Sequence, residues 1–155
     1  MILHPTSVYK LVRSDLRRIY GDSWGPATFA RALLNPSVRA AVLIRFALAG
    51  GPLNHSIGRN LLLSLHSIDI GRGARVGEGL YLPHPQCIVI GEGVTVGKEA
   101  TIYHGVTLGR LKDRYPTIDQ AVTIYPNAFI VGSVHILAGS RVAPCSMIRP
   151  DEVAI

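Results

Sequence analysis

Isoleucine, valine or leucine recurs every sixth residue through the last two-thirds of the chain. The first run is Ile70, Val76 and Leu82. After a two-residue slip it restarts as Ile90, Val96, Ile102 and Leu108. After a longer interruption it resumes as Ile118, Ile124, Ile130, Ile136, Val142 and Ile148. Small apolar residues follow four places on, at Ala74, Val94, Ala100, Val106, Val122, Ala128 and Val134. Six is not a multiple of the helical period, and a simple strand does not keep register that long. The pattern predicts a parallel β-helix of hexapeptide repeats, about four coils of three hexads each. Stacking buries one continuous column, and no unit is stable alone.

The first 66 residues show helical spacing instead. Thr6 or Ser7 is a candidate cap for a helix with Val8, Leu11, Val12, Leu16 and Ile19 on its apolar face, stopped by Gly21. Asn35-Pro36 is a start signal, with Asn as N-cap and Pro at the first helical position. Ser56 is a candidate cap for a shorter third helix through Leu61, Leu62 and Leu65. The expected organisation is a helical segment over 1–66 and a mainly β domain over 67–155. A column only three hexads around, with exposed coil edges, favours an oligomer.

Composition agrees with thin, tightly stacked coils: 48% of residues are hydrophobic but only 6% aromatic, with 16 Gly and 10 Pro for turns. A net charge of +6 favours anionic partners such as nucleic acid, an acidic membrane or a phosphorylated ligand. Few aromatics for stacking and no recognition motif argue against nucleic acid. The longest apolar run, Ala40 to Ala49, is broken by Arg45 and ends in Gly50-Gly51-Pro52, so no membrane span is expected. The N-terminus lacks a signal-peptide layout. Two cysteines, Cys87 and Cys145, are too few for a disulfide framework, and a cytoplasmic protein with reduced thiols is expected.

The two breaks in the repeat are the places to put chemistry. The slip lies in Leu82-Pro83-His84-Pro85-Gln86-Cys87, where two prolines stiffen the backbone around a histidine. Imidazole titrates near neutrality and can take a proton from a hydroxyl and return it to a leaving group. Asp69, fifteen residues earlier, is close to one coil away and is a candidate to accept the His84 ring N–H. It is equally a candidate to cap the first turn. The longer break, Gly109 to Thr117, is polar and basic and should leave the coil as a flexible loop.

Ile68-Asp69-Ile70 through Leu82-Pro83-His84, Ile88-Val89-Ile90-Gly91-Glu92, Tyr103-His104-Gly105-Val106-Thr107-Leu108-Gly109, and Asp113-Arg114 together resemble the serine acetyltransferase family over roughly residues 66–150. The resemblance implies a left-handed β-helix, assembly as a trimer or a dimer of trimers, and acetyl-CoA bound between coils. It implies Asp69 as orienter, His84 as general base and Arg114 on an acceptor carboxylate. Three positions depart from the family. Pro83 stands where Asp usually precedes the histidine, Tyr115 where His usually follows the arginine, and Asn35-Pro36 where an Asp-Pro helps hold serine. The helical part is short, and Ser14 to Gly21 with the Leu-Pro-His-Pro turn look more like short relatives associated with polysaccharide biosynthesis. A sugar hydroxyl therefore stands beside L-serine as acceptor.

On this reading the acceptor site comprises Arg114, Tyr115, Pro83 and Asn35. Gly105 and Gly109 are candidate oxyanion donors and, with Lys112, Ala128 and Arg141, candidate acetyl-CoA contacts. Lys98, Arg110 and Arg149 are further basic candidates for the coenzyme phosphates. No metal and no acyl-cysteine is expected. Two rival readings remain: a trimeric scaffold without catalysis, and a metal-dependent hydratase of the hexapeptide class, for which His66, His84, His104 and His135 lack the usual ligand spacing. Family members usually continue into a tail over the acetyl-CoA site. An end at Ile155 implies either a shortened chain or a more open cofactor site.

Overall fold

The computed structural model describes residues 5–22 and 34–150. Three helices come first: α1 (Pro5–Tyr20), α2 (Pro36–Ala49) and α3 (Pro52–His66). α1 begins at Pro5, ahead of Thr6 and Ser7, and the chain leaves it at Gly21 with φ +68°. α2 starts as expected: Asn35 accepts the Ser37 amide at 2.9 Å and Pro36 opens the helix. α3 starts four residues before Ser56, because Pro52 supplies a helical φ at the first position. Ser67 ends it in the left-handed region, donating its amide to Leu62 and Leu63. Among the described residues no helix is long and apolar enough to cross a membrane.

Twelve strands of two or three residues, β1 (Asp69–Ile70) to β12 (Met147–Ile148), then wind into a parallel β-helix. They form three sheets, ordered β1-β3-β6-β9-β12, β10-β7-β4-β2 and β11-β8-β5. The bridge Tyr81–Thr101 extends the third sheet by one coil. Every printed pairing is parallel, and the hexad residues stack: Ile70 on Ile90 on Leu108 on Ile130 on Ile148. Ile70, Ile90, Ile102, Leu108, Ile118, Ile124 and Ile130 are all at most 1% exposed. The small residues four places on, Val94, Ala100, Val106, Val122 and Ala128, are equally buried and let the corners close.

Register shows what the two breaks do. Thr117 pairs with His135 eighteen residues on, the three-hexad coil. Asp69 pairs with Val89, twenty residues on, so the slip at 83–87 widens one corner by two residues. Thr95 pairs with Thr117, twenty-two residues on, so the long break adds four. The break is no flexible loop. Leu111 and Arg114 exchange both backbone hydrogen bonds at 3.0 Å around Lys112 and Asp113, whose φ values are +48° and +59°. Two residues in the left-handed region make this a tight hairpin turn.

The helices are bolted to the first coils by charge. Arg45 of α2 and Asp15 of α1 form a two-pronged ion pair at 2.8 and 2.9 Å, with side chains 1% and 3% exposed. Arg45 also donates to the carbonyls of Val76 and Gly77 at 2.6 Å, and Asp15 accepts the Leu80 amide at 2.8 Å. Burial pushes the Asp15 carboxyl up, while Arg45 and the backbone amides hold it back.

Candidate active site

The widened corner carries His84. Leu82 and Pro85 are buried on either side of it, and the Gln86 amide returns to the His84 carbonyl at 2.9 Å. The Cys87 amide donates to the His66 carbonyl at 3.1 Å, and Gln86 accepts the Gly105 amide of the next coil at 3.0 Å. The corner is therefore pinned from α3 and from below, while the His84 ring stays exposed. Its ring centroid lies 5.8 Å from His104, edge-on, and 6.2 Å from Tyr103, which stacks on Tyr125 at 5.4 Å. His104 Nδ1 is buried and has no hydrogen-bond partner.

A cleft of about 470 Å³ opens beside His84, lined by Asn35, Arg39, His66, Tyr81, Pro83 and Gln86 among others. His66, at the end of α3, is only 4% exposed. Arg39 donates from Nε to its Nε2 at 3.2 Å, and its Nδ1 lies 3.1 Å from the Pro85 carbonyl. Burial first, and the Arg39 charge second, hold the His66 imidazole below its ordinary value of 6.5. The sign of its linkage follows. The unfolded chain takes up this proton before the folded one as pH falls, so stability is complete above about 6.5 and declines below it. Urea denaturation at about pH 7.5 and about pH 5 should show this loss, and His66→Gln should show less of it.

Asp69 is elsewhere. It sits opposite Val89 in the five-stranded sheet, and a coil there is twenty residues, so His84 falls five short of the position above it. Arg59 of α3 grips both carboxylate oxygens, at 2.6 and 2.9 Å, and holds the Asp69 carboxyl below the usual range. A second cleft, of about 520 Å³, contains Asp69 with His55, Arg59, Asn60 and Glu92. The expectation that Asp69 accepts the His84 ring N–H within one chain is thus corrected.

Other expected positions also separate. Pro83 and Asn35 line the His84 cleft. The Asn35 amide is already engaged, however, by the Ser37 N–H and, at 3.1 Å, the Tyr20 hydroxyl. Arg114 and Lys112 belong to the exposed hairpin. Tyr115 packs on the core, its ring over Gly91 and Gly93, where any added Cβ would strike it. The Gly105 amide is occupied by Gln86, so it is not a free oxyanion donor, and Gly109 lies in the β6–β9 ladder. The Ala128 side chain is fully buried in the column, away from any cofactor, whereas Arg141 is exposed at the start of β11. Sequence reading left out Arg39 and gave His66 no place beside His84. An arginine three places after Asn35-Pro36, on the turn that the cap fixes, was the available signal.

No protein-family model matches the chain. Serine acetyltransferase 2 of Arabidopsis thaliana is 32% identical over an alignment covering 97% of this chain and 50% of that protein. The Neisseria gonorrhoeae serine acetyltransferase solved in complex with serine is 32% identical, with a TM-score of 0.70 over 92% of this chain and 64% of that one. The Brucella abortus enzyme reaches a TM-score of 0.79 at 26% identity, over 94% and 65%. The chain spans about half the length, or less, of the curated relatives it matches. Sequence and left-handed β-helix fold together make this chain a member of the serine acetyltransferase family.

Proposed function

We propose that this chain transfers acetyl from acetyl-CoA to the hydroxyl of L-serine or a related small acceptor, with His84 as general base. The observation that carries this reading is the His84 corner itself: an exposed imidazole on a corner pinned from two sides, facing a cleft, in a fold shared with serine acetyltransferases. His84 takes the hydroxyl proton as the acceptor oxygen attacks the thioester carbonyl, and the imidazolium then protonates the departing thiolate. His104 Nδ1, buried and unengaged beside it, is a polar atom available to bound substrate.

The complete site forms between copies of the chain. Asp69 and His84 face different clefts, and the outer face of the sheet that bears Asp69 continues into exposed Val89, Phe129 and Met147. An apolar stripe beside an unshared carboxylate suits a trimer in which one copy's Asp69 face meets the next copy's His84 corner. A second reading has its own observation. Pro83 beside His84, together with the Tyr103–Tyr125 stack, offers a flat apolar surface suited to a sugar ring.

The test is thiol release from acetyl-CoA with L-serine, then with oligosaccharides and nucleotide sugars. Turnover with L-serine is expected. Turnover with sugars alone would replace the acceptor, and no release with any hydroxyl would favour a scaffold without catalysis.

A further inference from the structure

Arg39 lines the His84 cleft from α2. Its Nε donates to His66 Nε2, and a guanidinium only donates. His66 Nε2 is therefore the acceptor and its proton is on Nδ1, given to the carbonyl of Pro85, the neighbour of His84. Donors and acceptors along this chain match in only one way. A surface arginine ordinarily explores many rotamers, but this one is held through Nε by a buried ring. Among the described residues, its two Nη groups have no hydrogen bond or ion pair. The described lining of the cleft holds no Asp or Glu. An arginine fixed at Nε with both Nη groups open is a fork preset for a carboxylate.

We propose that Arg39 is a substrate-binding residue: its guanidinium, held by His66, receives the carboxylate of the acceptor whose hydroxyl His84 deprotonates. The inference rests on the acetyl-transfer reading and adds a substrate class to it, the hydroxy-carboxylates. His66 acts as a positioning residue, setting Arg39 on one side and the Pro85 carbonyl on the other. Arg39 is distinct from the arginine that the family resemblance gives this task, because Arg114 stands on the hairpin, outside this cleft.

L-serine and L-serinamide, which lacks the carboxylate charge, separate the roles. The wild-type protein should prefer L-serine. Arg39→Gln should raise KM for L-serine about 10- to 100-fold with kcat much less changed, and leave KM for serinamide where it was. Arg39→Lys, which keeps charge without the fork, should recover part of the loss. Calorimetric titration of L-serine in the absence of acetyl-CoA should read the same weakening independently of turnover. An unchanged serine KM in Arg39→Gln, or an equal rise for serinamide, would overturn the proposal while acetyl transfer stands. Serine binding that Arg39→Gln abolishes, in a wild-type protein without turnover, would keep the carboxylate site and reject acetyl transfer. Neither turnover nor serine binding in the wild type would reject both.

Discussion

His84→Ala is expected to lower kcat for acetyl transfer about 10²- to 10⁴-fold, the range a positioned general base contributes. The fold should survive. The ring is exposed and makes only ring contacts with Tyr103 and His104, and the corner is held by backbone bonds that alanine keeps. Circular dichroism and gel filtration separate lost chemistry from lost structure. Asp69→Ala should also lower kcat, although Asp69 faces the other cleft of its own chain. Mixing the two inactive variants tests where their site lies. If it forms between copies, re-associated mixtures contain some pairs with both residues intact and regain part of the activity. A mixture as inactive as its components would remove the inter-copy pairing. A fully active His84→Ala protein would remove His84 as the base.

Asp15→Ala is expected to cost about 3–5 kcal/mol of folding stability, read from urea or thermal denaturation. Two effects compete in this pair. Burial opposes the Asp15 charge, so the ion pair adds little over an apolar pair of the same size. Removing one partner is different, because Arg45 is then left charged at 1% exposure with only the Val76 and Gly77 carbonyls. The same change strips the Leu80 amide of its acceptor. A total stability of about 5–15 kcal/mol makes such a loss large. The double substitution Asp15→Leu with Arg45→Met should cost far less than Asp15→Ala. Equal losses would show that shape rather than charge holds α1 and α2 to the first coils.

The hexad pattern made the column legible residue by residue, because a coil of three hexads returns every sixth apolar side chain to one interior. Its slip and its interruption were legible as well, and they appear in the register as coils of twenty and twenty-two residues. The Asn35 cap was readable for a local reason: one side chain satisfies an amide two residues on. The partner of Asp69 was not readable. Fifteen residues approximates an ideal coil but falls short of this widened one, and Arg59 reaches Asp69 from a helix whose packing no period encodes.

The sequence by itself determined the β-helix, its inward column and the stiff corner that presents His84, since these follow from short-range repetition and two prolines. Only the tertiary structure decided what surrounds that histidine. It separated Asp69 from His84, put Tyr115 into packing, and brought Arg39 and His66 to the same cleft. The reason is physical. Repeats fix neighbours one coil apart, whereas the site is made where helices dock on the coils, through hydrogen bonds between residues that share no spacing.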